Sequence, residues 1–246
     1  MKLLLYRIYQ VIIMAPLLLV STAITAIVTA TGSILFGGRW WGYWPPHIWA
    51  RLFCLLTMVR VTVKGRENIS KGTSYVFVAN HQSSYDIFAI YGYLGHNFKW
   101  MMKKSLERIP LVGFSCKRSG HIMVDRSSPQ AIRQTIENAE RQLKDGMSLV
   151  VFPEGSRTFT GRMGRFKRGA FMLASEFRLP IVPLTIDGAY EVMPRTGKIP
   201  HWGHITLTIH PPVPAPESEH CQPLIDSIRA TIDSALPPSH RDPGSR

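Results

Sequence analysis

Between Ile8 and Gly38 this chain carries no charged side chain, and that stretch constrains its fold more than any other feature. A helix over residues 8–36 would run roughly 43 Å at ~1.5 Å per residue, against a hydrocarbon core of ~30 Å. Pro16 and a second half rich in Thr, Ala and Ser argue against one straight rod. A second apolar stretch follows, with Trp40, Trp41, Trp44 and Trp49 leading into Leu52, Phe53, Leu55 and Leu56. Tryptophan clusters suit the membrane–water interface. Residues 1–60 hold no Asp or Glu and five basic residues, Lys2, Arg7, Arg39, Arg51 and Arg60. A cleaved signal peptide needs a shorter apolar core and a small-residue cleavage site, and a buried core helix does not need 31 uncharged residues. Residues 1–60 are therefore expected to form a membrane anchor, either one span or a two-helix hairpin. Arg39, Arg51 and Arg60 outnumber Lys2 and Arg7, which places the remainder at the cytoplasmic face, of the inner membrane if the protein is bacterial.

Beyond Arg60 the pattern changes to short β-branched or aromatic runs alternating with helical periodicity. Residues 75–79, 98–102, 121–125, 148–152, 181–186 and 205–210 read as strands. A helix is expected from Ser128 as N-cap and Pro129 at the first position, with Ile132, Ile136, Ala139 and Leu143 on one face and a stop at Asp145-Gly146. Shorter helices are expected over residues 170–177 and 224–236. The alternation implies an α/β fold, a largely parallel sheet covered by helices on both faces, over residues 61–236. Residues 211–216 read as a proline-rich connector and residues 237–246 as a flexible tail. Cys54, Cys116 and Cys221 are odd in number and widely spread, with neither disulfide nor zinc spacing.

A net charge of +13 calls for an anionic partner: nucleic acid, a membrane surface or a phosphorylated substrate. The anchor region accounts for five cations, and the remaining 24 face 16 acids. In parallel sheets ligands gather at the carboxyl ends of the strands. The first expected strand runs into Asn80-His81-Gln82-Ser83-Ser84-Tyr85-Asp86. Five residues are too many for His81 and Asp86 to share one helix face, but they meet if His81 sits in the turn and Asp86 in the first helical turn, with Ser83 or Ser84 as N-cap. An Asp on one imidazole nitrogen leaves the other as a general base. The same residues could also form an Asx-type turn with a surface His.

The fourth strand runs into Phe152-Pro153-Glu154-Gly155-Ser156-Arg157-Thr158, a tight loop with backbone N–H groups and a forked cation suited to phosphate or carboxylate. Arg162, Arg165, Lys167 and Arg168 follow without an acid before Glu176, a run that could equally be a solvated basic face. The third strand ends at Asp125-Arg126 and the second is followed by Lys103-Lys104, so three strands deliver cations to one sheet edge. His201-Trp202-Gly203-His204 lacks a partner pair for a metal, and neither a Gly-x-Ser-x-Gly elbow nor a Walker phosphate loop occurs. Scattered cations without a recognition helix or stacking platform fit nucleic acid poorly.

These blocks resemble the glycerolipid acyltransferases, typified by the 1-acylglycerol-3-phosphate O-acyltransferases. The His81-to-Asp86 block is similar to that family's His-x-x-x-x-Asp motif. Gly120-His121-Ile122-Met123-Val124-Asp125-Arg126 is similar to its second block, Phe152 to Thr158 to its third, and Ile181-Val182-Pro183-Leu184 with Gly188 to its fourth. Lys103 in Met102-Lys103-Lys104-Ser105-Leu106, followed by Ile109-Pro110 and Gly113, fits the segment between the first two. Ser156 stands where Thr is commoner and keeps the hydroxyl.

The match covers roughly residues 61–210, and the ordered set is specific where each piece alone is not. The resemblance implies transfer of a fatty acyl group from acyl-CoA or acyl carrier protein to lysophosphatidic acid at the membrane, with no nucleic-acid partner. It implies His81 and Asp86 as the catalytic pair, and Lys103, Arg126 and Arg157 as ligands of the acceptor phosphate, with Glu154 and Gly155 shaping that pocket. No cofactor and no metal are expected. A sister acyltransferase with another acceptor remains an alternative, as does a non-catalytic, membrane-anchored binder of anionic lipid.

Overall fold

The computed structural model describes residues 1–125, 127–143, 146–215 and 221–241. Its N-terminal layer is helical. Helices Lys2–Tyr9 (α1) and Ala15–Phe36 (α2) are joined by a π turn, Gln10–Met14, into one rod, Lys2–Phe36, long and apolar enough to cross a membrane. Pro16 offers no N–H to the turn before it, and the wider π turn just ahead lets the helix pass the ring without breaking. Gly37, with φ 91°, ends the rod, and Gly38–Trp41 (α3) and Trp44–Leu56 (α4) follow.

The α/β part runs Val59–Lys64 (β1), Val76–Ala79 (β2), Tyr85–Tyr93 (α5), Phe98–Lys103 (β3), Val112–Arg118 (α6), Ile122–Val124 (β4), Pro129–Leu143 (α7) and Ser148–Val151 (β5). It continues through Gly169–Glu176 (α8), Ile181–Asp187 (β6), Ala189–Val192 (α9), Gly203–Ile209 (β7) and Gln222–Ser234 (α10). The seven strands lie in the order β1-β7-β6-β2-β5-β3-β4. Every neighbouring pair is parallel except β6 with β7. The expected largely parallel α/β sheet is therefore present, and β2, β5 and β3 end side by side at one edge.

Strand alternation splits the core between the two faces. Phe77 and Ala79 of β2 join Ala50 and Cys54 of α4 and Ala89 and Ile90 of α5. Val76 and Val78, one position out of phase, join Phe171 and Ala174 of α8 and Ile225, Ile228 and Ile232 of α10. Each fully buried Val, Ile or Phe among these stabilises by about 1.5–3 kcal/mol relative to an exposed one.

Two boundaries differ from the sequence reading. Strand β1 starts before residue 61: Val59, Val61 and Val63 face inward in a period-two pattern, and β1 pairs with β7 from Val59↔Gly203 to Lys64↔Thr208. The end of the region assigned to the anchor is thus a sheet edge, and α4 is part of the domain core rather than half of a separate hairpin. The segment assigned to a flexible tail is docked over its first residues. The ring of His240 is buried against Tyr190, with Nε2 3.3 Å from Glu191 Oε1. Residues 242–246 lie outside the described residues.

The long rod is tied along its length to the α/β part. Tyr6 Oη donates to Thr57 O at 2.8 Å, Tyr9 Oη to Leu56 O at 2.9 Å, and Gln10 Nε2 to Pro200 O at 2.8 Å. Midway, Trp49 Nε1 donates to Thr22 Oγ1 at 3.1 Å. Past its far end, the fully buried Lys99 donates to Gly38 O and Ser119 O, both at 2.6 Å, joining the turn after α2 to the end of α6. Burial, with Arg39 nearby, pulls the Lys99 ammonium down to about 8. The opposite side of the rod exposes Leu3, Leu4, Val11, Ile12, Leu19 and Phe36.

Candidate active site at the strand ends

At the end of β2 the side chain of Asn80 replaces the backbone ladder. Its Nδ2 donates to Ile186 O and its Oδ1 accepts from Ile186 N–H, both at 2.8 Å. The backbone is thereby free to turn, and it carries His81 out over the sheet edge. Asp86 sits in the first turn of α5, fully buried. Its Oδ2 accepts from His81 Nδ1 at 2.7 Å, from Gln82 N–H at 2.7 Å and from Ser83 N–H at 2.8 Å. With Nδ1–H as the donor to that carboxylate, the neutral ring carries its lone pair on Nε2, which has no partner among the described residues. The turn and first helical turn thus bring together two side chains that one helix could not.

Either serine was a candidate cap, and both hydroxyls are used. Ser83 Oγ accepts from Tyr85 N–H at 3.1 Å and donates to Met193 O at 2.7 Å. Ser84 is the N-cap residue, but its hydroxyl accepts from Arg157 Nη1 at 2.7 Å instead of capping the helix.

The loop after β5 closes on His81 from the other side. Buried Glu154 accepts His81 N–H at Oε1, 2.7 Å, and Gly164 N–H at Oε2, 2.8 Å, while Thr158 N–H donates to His81 O at 2.9 Å. Burial raises the Glu154 carboxyl above its ordinary range, opposed by those two N–H groups. Glu154 therefore holds backbone to backbone. Gly155 has φ +74°, a conformation that glycine adopts without strain, and Lys167 Nζ lies over it, 2.6 Å from where a Cβ would stand.

The expected cations separate into groups. Arg157 is fixed to Ser84, the residue immediately before the helix that carries Asp86. Lys103 ends β3, exposed. Its neighbour Lys104 is spent on Asp125 at 2.6 Å, which raises the ammonium and holds the Asp125 carboxyl down at about 2. Arg126 lies outside the described residues.

Sequence reasoning missed Arg195, whose Nη1 donates to Arg157 O at 2.6 Å while its guanidinium lies 4.0 Å from the centroid of the Phe159 ring. It follows Pro194 in a loop with no motif, so nothing local marked it. Sequence reasoning named Phe152 only as the first residue of the loop after the fourth strand and gave it no role, whereas its ring stacks on His81. No group of three or more His, Cys, Asp or Glu suited to a metal occurs among the described residues.

Backbone donors near His81 are mostly taken. His81 N–H goes to Glu154, Gln82 and Ser83 N–H to Asp86, and Gly155 N–H to Phe152 O. The N–H groups of Glu154 and Ser156 have no partner among the described residues.

An orienting carboxylate, a histidine with a free nitrogen and a basic loop beside it define a site for base-assisted transfer to or from an anionic molecule. The family model described as Acyltransferase matches residues 60–187, and the chain belongs to that family. It is 33% identical over 197 residues to a 1-acyl-sn-glycerol-3-phosphate acyltransferase of Chlamydomonas reinhardtii, covering 78% of this chain and 57% of that protein. To the protein of the same description from Pseudomonas aeruginosa it is 32% identical over 168 residues, 66% of this chain and 64% of that one. The crystal structure of the 1-acyl-sn-glycerophosphate acyltransferase PlsC from Thermotoga maritima superposes with a TM-score of 0.67 at 25% identity, covering 85% of this chain and 91% of that one. The chain spans about half to two thirds of the length of the first curated relatives it matches.

Proposed function

We propose that this protein transfers a fatty acyl group from acyl-CoA or acyl carrier protein to the sn-2 hydroxyl of 1-acyl-glycerol-3-phosphate, giving phosphatidic acid for phospholipid synthesis. The observation that carries the reading is the 2.7 Å bond from His81 Nδ1 to buried Asp86, which leaves Nε2 free as a base. His81 Nε2 takes the proton of the acceptor hydroxyl as its oxygen attacks the thioester carbonyl, and Asp86 supports the imidazolium that forms. The C–S bond then breaks, and the imidazolium returns the proton to the departing thiolate. Written this way, the transfer balances without a metal, a cofactor or a covalent enzyme intermediate. The unpartnered N–H groups of Glu154 and Ser156 are the backbone donors we assign to the oxyanion. Arg157, Lys103 and Arg126 receive the acceptor phosphate, with Lys167 placed over Gly155 at the same loop.

The rod Lys2–Phe36, about 52 Å long at ~1.5 Å per residue, is the membrane contact in this reading. It is bound by α4 near its start and middle and by the α6 end beyond its finish, so a perpendicular span would pull those elements into hydrocarbon. Lying along the membrane with its apolar side inserted fits these ties and brings the site to a membrane surface beside its lipid acceptor; that this is the cytoplasmic surface is assigned from the flanking arginines.

The test is transfer by the full chain in detergent, with lysophosphatidic acid, glycerol-3-phosphate and other lysolipids each offered acyl-CoA and acyl carrier protein. Lysophosphatidic acid is expected to be the preferred acceptor, and His81→Ala to abolish turnover without loss of fold. Near-normal turnover in that variant removes the base assignment, whereas no transfer by the unaltered chain with any donor and acceptor leaves a lipid binder.

A further inference from the structure

His81 is held at one edge by Asp86, but a single hydrogen bond leaves a ring free to tilt about it. The tilt is blocked by a face. The rings of His81 and Phe152 stack with centroids 3.9 Å apart and planes 8° from parallel. Behind Phe152 lies Trp100, at 5.6 Å and 24°. This ladder of rings follows from topology. β5 lies between β2 and β3, with Val78 opposite Val151 and Trp100 opposite Val150. Phe152, one residue past β5, therefore emerges between the ring that follows β2 and the ring on β3. The spacing of neighbouring strands, ~4.8 Å, is close to stacking distance.

An aromatic face carries negative quadrupole, which attracts a cation more than a neutral ring. The imidazole becomes a cation only while the acceptor proton sits on Nε2, so the stack strengthens as charge develops. We propose that Phe152 is a positioning residue for the proposed transfer: its face fixes the plane of His81 and stabilises the imidazolium. This rests on His81 being the base. Among the described residues, the charged groups bonded to His81 are Asp86 from α5, at its ring, and Glu154, at its backbone N–H, with Arg157 tied to Ser84 three residues on; a Phe152 variant retains all three.

The experiment compares Phe152→Leu, which keeps apolar bulk without a π face, with Phe152→Tyr in the full chain in detergent. Leucine is expected to lower kcat roughly tenfold and leave KM for both substrates within about twofold. It is also expected to move the acidic limb of the kcat/KM profile down by about half a pH unit, because the imidazolium loses support. Tyrosine restores both. An unchanged kcat and profile in Phe152→Leu, or an effect confined to KM, overturns the proposal. Inactivity of His81→Ala beside an unaffected Phe152→Leu keeps the base and removes the stack; an active His81→Ala removes the base itself. Should the leucine variant fail to fold, the wild-type chain decides: a stacked ring shifts the His81 carbon-bound protons upfield of those of exposed histidines, and their absence from that region overturns the stack.

Discussion

Asp86, in the first turn of the helix that follows β2, and Lys103, the last residue of β3, are built in opposite ways. The carboxylate of Asp86 is fully buried, and one oxygen takes three hydrogen bonds. Lys103 is exposed; its backbone pairs with Val124 of β4, but its ammonium has no hydrogen bond or ion pair to any described residue. Arg157 falls between, tied by one hydroxyl and by Arg195 on its carbonyl. The contrast fits the two jobs proposed for them. A proton is transferred along a line, so the base must point one way before substrate arrives. A phosphate is captured by charge and reach, and a cation left in water does this without fixed geometry.

Breaking the ordered side gives the largest expected effect. Asp86→Asn cannot supply one oxygen to His81 Nδ1, Gln82 N–H and Ser83 N–H with the same tautomer control, and kcat should fall by about 10³–10⁴. A loss below tenfold in steady-state turnover would show that the pair is ornamental to the chemistry. On the charge side Arg157→Ala should raise KM for lysophosphatidic acid about ten- to hundredfold with a smaller change in kcat. A neutral acceptor, assayed beside it, should be insensitive, and equal losses on both would deny Arg157 a phosphate role.

The buried polar network beneath the site should also respond to pH. His121 Nδ1 accepts from Trp100 N–H at 3.2 Å, and Nε2 is 3.3 Å from Tyr91 Oη, which donates to Gly42 O. Burial first, and Lys99 second, lower His121 to about 3. Its folded value lies below the unfolded one, so its contribution is complete above about pH 6.5 and declines as the pH falls toward 3. The slope is about 1.4 kcal/mol per pH unit in that window. Denaturant melts at pH 7, 6 and 5 should show it, and His121→Gln should flatten the curve; parallel curves would contradict a buried neutral His121. The smallest effect belongs to Lys103→Ala, about three- to tenfold in KM for the phosphate acceptor at low salt and fading as salt rises. An effect as large as that of Arg157→Ala would erase the distinction between a tied and an untied cation.

Much of this architecture was written locally. The runs at β2, β5 and β6 are buried on both faces and read as continuous apolar strands. The His81-to-Asp86 spacing encodes a turn followed by a helix, and the structure contains that turn. Strand β1 escaped because Val59 to Lys64 adjoins a long apolar stretch whose composition masks a period of two. Helix α6 was not read either: its seven residues are too few for a period to declare itself. Arg195 and Phe152 act through residues 38 and 71 positions away, separations over which no local pattern carries information.

By itself the sequence determined the apolar rod, the alternation of strands and helices, and the chemical kinds of residue that each strand end delivers. Those properties depend on side-chain hydrophobicity and on backbone period, which are local. Tertiary structure decided that the rod lies bound along the domain, that β7 runs antiparallel to β6, that Lys104 is neutralised by Asp125 while Lys103 is not, and that a phenylalanine covers the face of His81. Each of these is a contact between segments far apart in the chain, and its direction exists only once strand order places those segments side by side.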